Sequence, residues 1–118
     1  MRNIAKKGQN GETIVADYLK KQGFIIVERN FHSRFGEIDI IAENEQYILF
    51  VEVKTRKANS FTAAAEAVDG AKQQKIMLTA QIYLSRSFSE LQPRFDVAEV
   101  TLEEDNEEYK INYIENAF

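Results

Sequence analysis

The chain has 118 residues, enough for one domain with a core of its own. With 44% hydrophobic and 29% charged residues it is neither disordered nor embedded in lipid, and without cysteine it has no disulfides or thiolate metal sites. A net charge of −4 argues against a protein that coats nucleic acid, but the charge is uneven: residues 1–60 hold ten basic and eight acidic groups, residues 61–118 five and eleven. His32 is the single histidine, which excludes a multi-histidine zinc site within one chain. No run approaches the roughly 18 apolar residues of a membrane span, and the N-terminus lacks the apolar core of a signal peptide, so the expected location is the cytoplasm, with no membrane partner.

Arg2, Lys6 and Lys7 make a basic lead-in. From about Gly8 to Gln22, apolar residues at Ile14, Val15, Tyr18 and Leu19 have the spacing of an amphipathic helix, which Gly23 ends. Glu12 lies three and four residues before Val15 and Ala16 and so projects from the buried side of that helix. Its spacing fits a role in a site as well as it fits an acid placed favourably at a helix N-terminus.

Phe24 to Phe31 reads as a first strand, leading through His32-Ser-Arg-Phe35 into a hairpin. Arg29 and Arg34 flank that entrance, as solvated surface groups or as phosphate contacts.

Ile38 to Ala42 and Tyr47 to Val53 are rich in β-branched and aromatic residues, and the polar segment Glu43-Asn-Glu-Gln46 between them has the length of a hairpin loop. Alternation sets Glu37, Asp39 and Ile41 on one face, and Ile48, Phe50, Glu52 and Lys54 on one face of the second strand. Both faces are apolar near the turn, as in a hairpin central in its sheet and covered on both sides. A symmetric loop would set Ala42 opposite Tyr47, Glu37 opposite Glu52 and Asp39 opposite Phe50, with the four charged groups emerging on one face. Carboxylates gathered there cost several kcal/mol each unless compensated. Lys54 supplies one positive charge, and the remaining acidic excess suits a hard divalent ion, Mg²⁺ above all. The plainer reading is a solvated strand end carrying a weak ion pair.

Lys57 to Thr62 reads as a loop, with Lys57 and Ser60 as candidates for backbone binding, and Ala63 to Val68 as a short helical run. Asp69 is the N-cap of a second long helix to about Ser87, with Ile76, Met77, Ala80, Tyr83 and Leu84 as its apolar stripe. Lys72, four residues before Ile76, leans towards the sheet or sits on the surface. Pro93 precedes a strand from Arg94 to Thr101, whose Asp96 reads as a structural or outer acid. The acidic run Glu103 to Glu108 turns the chain into a last strand, Tyr109 to Ile114, at the sheet edge. The fold class is α/β in one domain, 1–118: a mixed sheet with a central antiparallel hairpin flanked by helices.

The string Gly36-Glu-Ile-Asp-Ile-Ile-Ala42 followed by Phe50-Val-Glu-Val-Lys-Thr-Arg56 resembles the YraN-type family of small bacterial proteins. That family is similar to archaeal Holliday-junction resolvases and to the wider restriction-endonuclease-like superfamily. Gly11-Glu-x-x-x-Ala16, Tyr18-Leu19, Lys72 and the Arg94-Phe-Asp96 opening extend the resemblance over nearly the whole chain, while Phe61-Thr62 departs from the family's Phe-Gly pair. The resemblance implies a restriction-endonuclease-like core in which Asp39, Glu52 and Lys54 occupy the metal-dependent nuclease signature. Glu12 becomes an auxiliary ligand and Glu37 an outer acid. The implied activity is hydrolysis of DNA phosphodiesters with Mg²⁺ or Mn²⁺, and Arg34, Arg56, Lys57 and Lys72 are the candidates for contact with the nucleic acid. A non-catalytic nucleic-acid-binding or partner-docking module on the same fold is the alternative. Related resolvases pair to cut two strands, which makes a homodimer a further expectation.

Overall fold

The computed structural model describes residues 10–57, 68–103 and 108–118. The basic lead-in, the loop through Ser60, Phe61 and Thr62, the run from Ala63 and most of the acidic turn lie outside the described residues.

Helix α1 spans Gly11–Lys21. It starts later than its apolar spacing suggests because Asn10 is extended and caps it, the Asn10 side chain accepting the Thr13 N–H at 2.8 Å. Three strands follow, β1 (Ile25–His32), β2 (Glu37–Glu43) and β3 (Tyr47–Lys57). Helix α2 spans Gly70–Ser87, with Asp69 accepting the Lys72 N–H at 2.9 Å as its N-cap. Strands β4 (Gln92–Leu102) and β5 (Tyr109–Ile114) complete the chain. His32 and Lys57, expected in loops, are the last residues of β1 and β3. β3 outruns its apolar stretch because β4 pairs with it in parallel along its whole length, from Tyr47↔Gln92 to Lys57↔Leu102.

The five strands form one mixed sheet in the order β1-β2-β3-β4-β5, antiparallel except for the β3–β4 pair. The hairpin is central and β5 is an edge, as the sequence suggests. α1 covers one face through Ile14, Val15, Ala16 and Leu19 against Ile40, Ala42, Leu49, Val51, Ala98 and Val100. α2 covers the other through Ile76 and Ala80 against Ile38, Ile41, Ile48, Phe50 and Val97. A fully buried side chain of this kind contributes about 1.5–3 kcal/mol, so the two layers fix β3 from both sides. No helix among the described residues is long and apolar enough to cross a membrane.

The hairpin register differs from the symmetric expectation. Glu43 pairs with Ile48 and Ile40 with Val51, two residues away from the expected partners. The loop is tighter because Asn44 Oδ1 accepts the N–H groups of Gln46 and Tyr47 at 2.8 and 2.7 Å, and Asn44 N–H reaches the Tyr47 carbonyl at 3.0 Å. A shift of two preserves the faces but carries Asp39 level with Glu52 instead of Phe50.

Alternation also breaks near Asp39. Ile38 packs in the α2 layer and Ile40 in the α1 layer, although they are two residues apart on one strand. On β1, Phe31 faces the α2 layer while Arg29 turns to α1, where it donates to Thr13 Oγ1 at 3.2 Å. Between Phe31 and Arg29 stands Asn30, with φ 54°, a left-handed conformation that Asn tolerates better than most residues. Both outer hairpin strands therefore trade faces at the level of Asn30 and Asp39, and the ladder to β3 ends at Ile40.

Asp96 is structural. Fully buried, it accepts from Arg94 Nε and Nη2 at 3.0 Å, from the Tyr113 hydroxyl at 2.6 Å and from Asn116 N–H at 3.0 Å. Burial and the adjacent Asp96 carboxylate push the Tyr113 phenol far above its usual range.

Candidate functional site

β3 carries Glu52, Lys54 and Arg56 on the face that α2 covers, since Ile48 and Phe50 of the same alternation pack there. Beside them in parallel register, β4 brings Val97 level with Glu52 and Glu99 level with Lys54. The first turn of α2 adds Lys72 from above. These elements converge at the end of the hairpin away from its turn, where the β2–β3 ladder has stopped.

Glu52 is buried, with 8% of its side chain exposed, and its Oε1 lies 2.7 Å from Lys72 Nζ and 3.3 Å from Lys54 Nζ. Asp39 closes the opened ladder from β2, its Oδ2 accepting the Val53 N–H at 2.8 Å. Burial raises the Asp39 carboxyl to about 6; the Val53 hydrogen bond opposes this, and the charges of Glu52, Glu12 and Glu37 add to it. Glu52, Glu12 and Glu37 are thus near enough to act on Asp39, although the four do not share one strand face. Glu37 is exposed and pairs with His32 Nδ1 at 3.4 Å.

The two lysines differ. Burial lowers the Lys54 ammonium, helped by the neighbouring Lys72, while Glu52 pulls the other way. Burial also lowers Lys72, but its contacts with Glu52 outweigh that and the net shift is upward. Lys72 is the firm cation of the pair and Lys54 the one closer to giving up its proton.

Glu12 approaches Asp39 from α1. Its Oε1 is buried without a hydrogen bond, and its ion-pair partner is Arg29 Nη2 at 3.8 Å. The approach depends on Gly11, since a Cβ there would run into Thr55 Oγ1 of β3. The first turn of α1 therefore rests on the outer end of β3 with no room for a side chain.

Glu99, a buried acid that the sequence reading does not single out, pairs with Arg56 Nη2. Its signal in the sequence is a lone acid among the apolar residues of β4, visible only once β4 is known to lie beside β3. Arg56 is thereby committed to an internal partner. Arg34 stands apart, exposed, with its guanidinium 4.8 Å above the Phe35 ring, and Lys57 is exposed at the end of β3.

Asp39, Glu52 and Glu12 offer hard oxygen donors, one with a buried oxygen that lacks a hydrogen bond and one raised to about 6 by burial and then by its acidic neighbours, and that chemistry fits Mg²⁺ or Mn²⁺. Among the described residues no three acidic or imidazole side chains already stand close enough to hold an ion together. Lys72 and Lys54 occupy Glu52 instead.

Comparison with known proteins adds kinship. The model of a family described as "Uncharacterised protein family UPF0102" matches residues 11–100, a span that includes Glu12, the hairpin, Lys72 and Glu99. A UPF0102 protein of Clostridium botulinum strain 657 is 48% identical over 113 residues, covering 94% of this chain and 92% of its own. A UPF0102 protein of Caldanaerobacter subterraneus subsp. tengcongensis is 48% identical across the full length of both chains.

Proposed function

The chain belongs to the uncharacterised protein family UPF0102, the YraN family that its hairpin motif resembles, and from that premise we propose that it is a metal-dependent endonuclease acting on DNA in the cytoplasm. The observation that carries this reading is the pair Asp39 and Glu52, set level across an opened ladder, half-buried or buried, beside a lysine whose ammonium is destabilised.

Asp39 and Glu52 would hold Mg²⁺ or Mn²⁺, with Glu12 contributing the oxygen that now has only the distant Arg29 as partner. When bound, the ion supplies Lewis-acid polarisation of the scissile phosphate and makes water acidic enough to attack. The other tasks fall to the protein. Val53 N–H fixes the Asp39 carboxylate by one oxygen and leaves the second for ligation. Lys54, 3.3 Å from Glu52, orients or deprotonates the attacking water, or neutralises charge building on the phosphate. Lys57 and Arg34 are exposed cations for the phosphate backbone, whereas Arg56 acts chiefly by keeping Glu99 neutralised. Glu37, turned to His32, contributes only charge at a distance.

The test is cleavage of junctions, flaps, single strands and duplexes in Mn²⁺ by wild type, Glu52→Gln and Lys54→Ala. Both variants are expected to lose activity by roughly a thousandfold while melting cooperatively. Undiminished cleavage by Glu52→Gln would sink the assignment.

One observation favours a second reading, a nucleic-acid-binding or docking module without chemistry: Glu52 is already neutralised by two lysines. That module would bind DNA in a salt-sensitive way that survives EDTA, with no cleavage of any substrate.

A further inference from the structure

Two ammonium groups converge on one oxygen of Glu52, and they reach it by different routes. Lys54 comes from the same strand two residues on, with 27% of its side chain exposed and its Nζ 3.3 Å from the acid. Lys72 comes from the first turn of α2, with 38% of its side chain exposed, and it stands on the solvent side of an acid that is only 8% exposed. Its backbone is fixed by the Asp69 cap at 2.9 Å, so the side chain can swing away while the helix stays. Rotating a long, half-exposed side chain costs little beside moving the element that carries it, and Lys72 is the more exposed of the two.

Charge counting gives the rest. Asp39 and Glu52 against Lys54 and Lys72 make a neutral set, and Glu12 against Arg29 adds no net charge to it. A divalent cation added to that set leaves two uncompensated positive charges in a half-buried place, which is costly. Removal of Lys72 leaves one, which a phosphodiester would cancel.

We infer that Lys72 is an internal counter-ion which holds Glu52 in the metal-free protein and yields it to a divalent cation, its ammonium then being free for a phosphate oxygen. This rests on the metal-dependent reading above and adds to it an exchange step: metal affinity is set by competition with a side chain of the protein itself. The metal-free site is kept neutral and closed, and the group that closes it is a cation of the kind the substrate needs.

The exchange is read without any nuclease assay. Calorimetric titration with Mn²⁺ alone, in the absence of DNA, compares wild type, Lys72→Met, Lys72→Gln and Glu52→Gln. Both Lys72 variants are expected to bind Mn²⁺ about tenfold more tightly than wild type, and Glu52→Gln not to bind. In EDTA the Lys72 variants should melt below wild type, and Mn²⁺ should raise their melting temperature by more than it raises that of wild type. Binding by wild type with equal or weaker binding by both Lys72 variants would overturn the exchange and leave the metal site standing. No binding by any of them would overturn both.

A second measurement uses the unaltered chain. Amine acetylation read by mass spectrometry, with exposed Lys75 as internal reference, should show Lys72 several-fold more reactive in Mn²⁺ than in EDTA. Unchanged reactivity in protein that has bound Mn²⁺ would overturn the exchange.

Discussion

Asp39 takes, at 2.8 Å, the backbone N–H of Val53 in the strand from which its own strand has just parted. A side chain thus does what a main-chain carbonyl does elsewhere in the ladder, and the carboxylate is fixed at the point where the hairpin opens.

That fixation has a cost which pH exposes. Folded, the carboxyl titrates at about 6, raised by burial and then by Glu52, Glu12 and Glu37 against the Val53 bond; its ordinary value is 3.8. Between those values the folded chain holds a proton that the unfolded chain has released, so stability falls as pH rises from about 4 to about 6 and is level above. Allowing for solvent screening of a half-buried group, the loss is about 1–2 kcal/mol. Asp39→Asn keeps an acceptor for Val53 and removes the charge. In EDTA at pH 7 it should melt above wild type, and the difference should vanish near pH 4.

Asp96→Ala separates framework from site. It leaves Arg94 only the distant Glu115 as an ion-pair partner and removes the acceptor of Tyr113 and Asn116, and breaking a buried pair of this kind costs about 3–5 kcal/mol. Urea denaturation should show that loss, with Mn²⁺ affinity of the folded fraction unchanged.

Gly11→Ala tests how α1 is seated. The new methyl meets Thr55 Oγ1 and must turn or push that side chain, at about 1–2 kcal/mol. Adding Thr55→Ala should recover most of it, and a double-mutant cycle on denaturation midpoints measures the coupling.

The two cations at the outer end of β3 should behave oppositely. Arg56→Ala leaves Glu99 buried without its ion-pair partner and should lower stability by about 2–3 kcal/mol. Lys57→Ala should leave stability within about 0.5 kcal/mol. It should reduce the slope of DNA affinity against salt by about one.

Much of this was legible in the chain because strand and helix periods are written in apolar residues: Ile38 to Ala42 and Tyr47 to Val53 mark the hairpin, and Ile14 to Leu19 and Ile76 to Leu84 mark the helices. The faces of β3 survived an error of two in register because alternation has period two. What was not legible depends on groups whose effect is local geometry. Asn44, folding its side chain onto the turn, shortened the loop. The face exchange follows a left-handed Asn30 that no apolar pattern announces. Glu99 enters the site only through β4, whose lateral position the sequence does not state, whereas the lean of Lys72 towards the sheet is written in its spacing from Ile76.

The parallel β3–β4 pairing has a consequence for the order in which the chain becomes competent. It is the most extensive ladder in the sheet, and it joins strands separated by the whole of α2. The hairpin, by contrast, closes locally and can form as soon as it is synthesised. Asp39 and Glu52 therefore meet early, whereas Lys72 and the β4 neighbours arrive only when the crossover docks. A nascent or partly unfolded chain would therefore hold Glu52 beside Lys54 alone, and the contact with Lys72 becomes a property of the finished molecule.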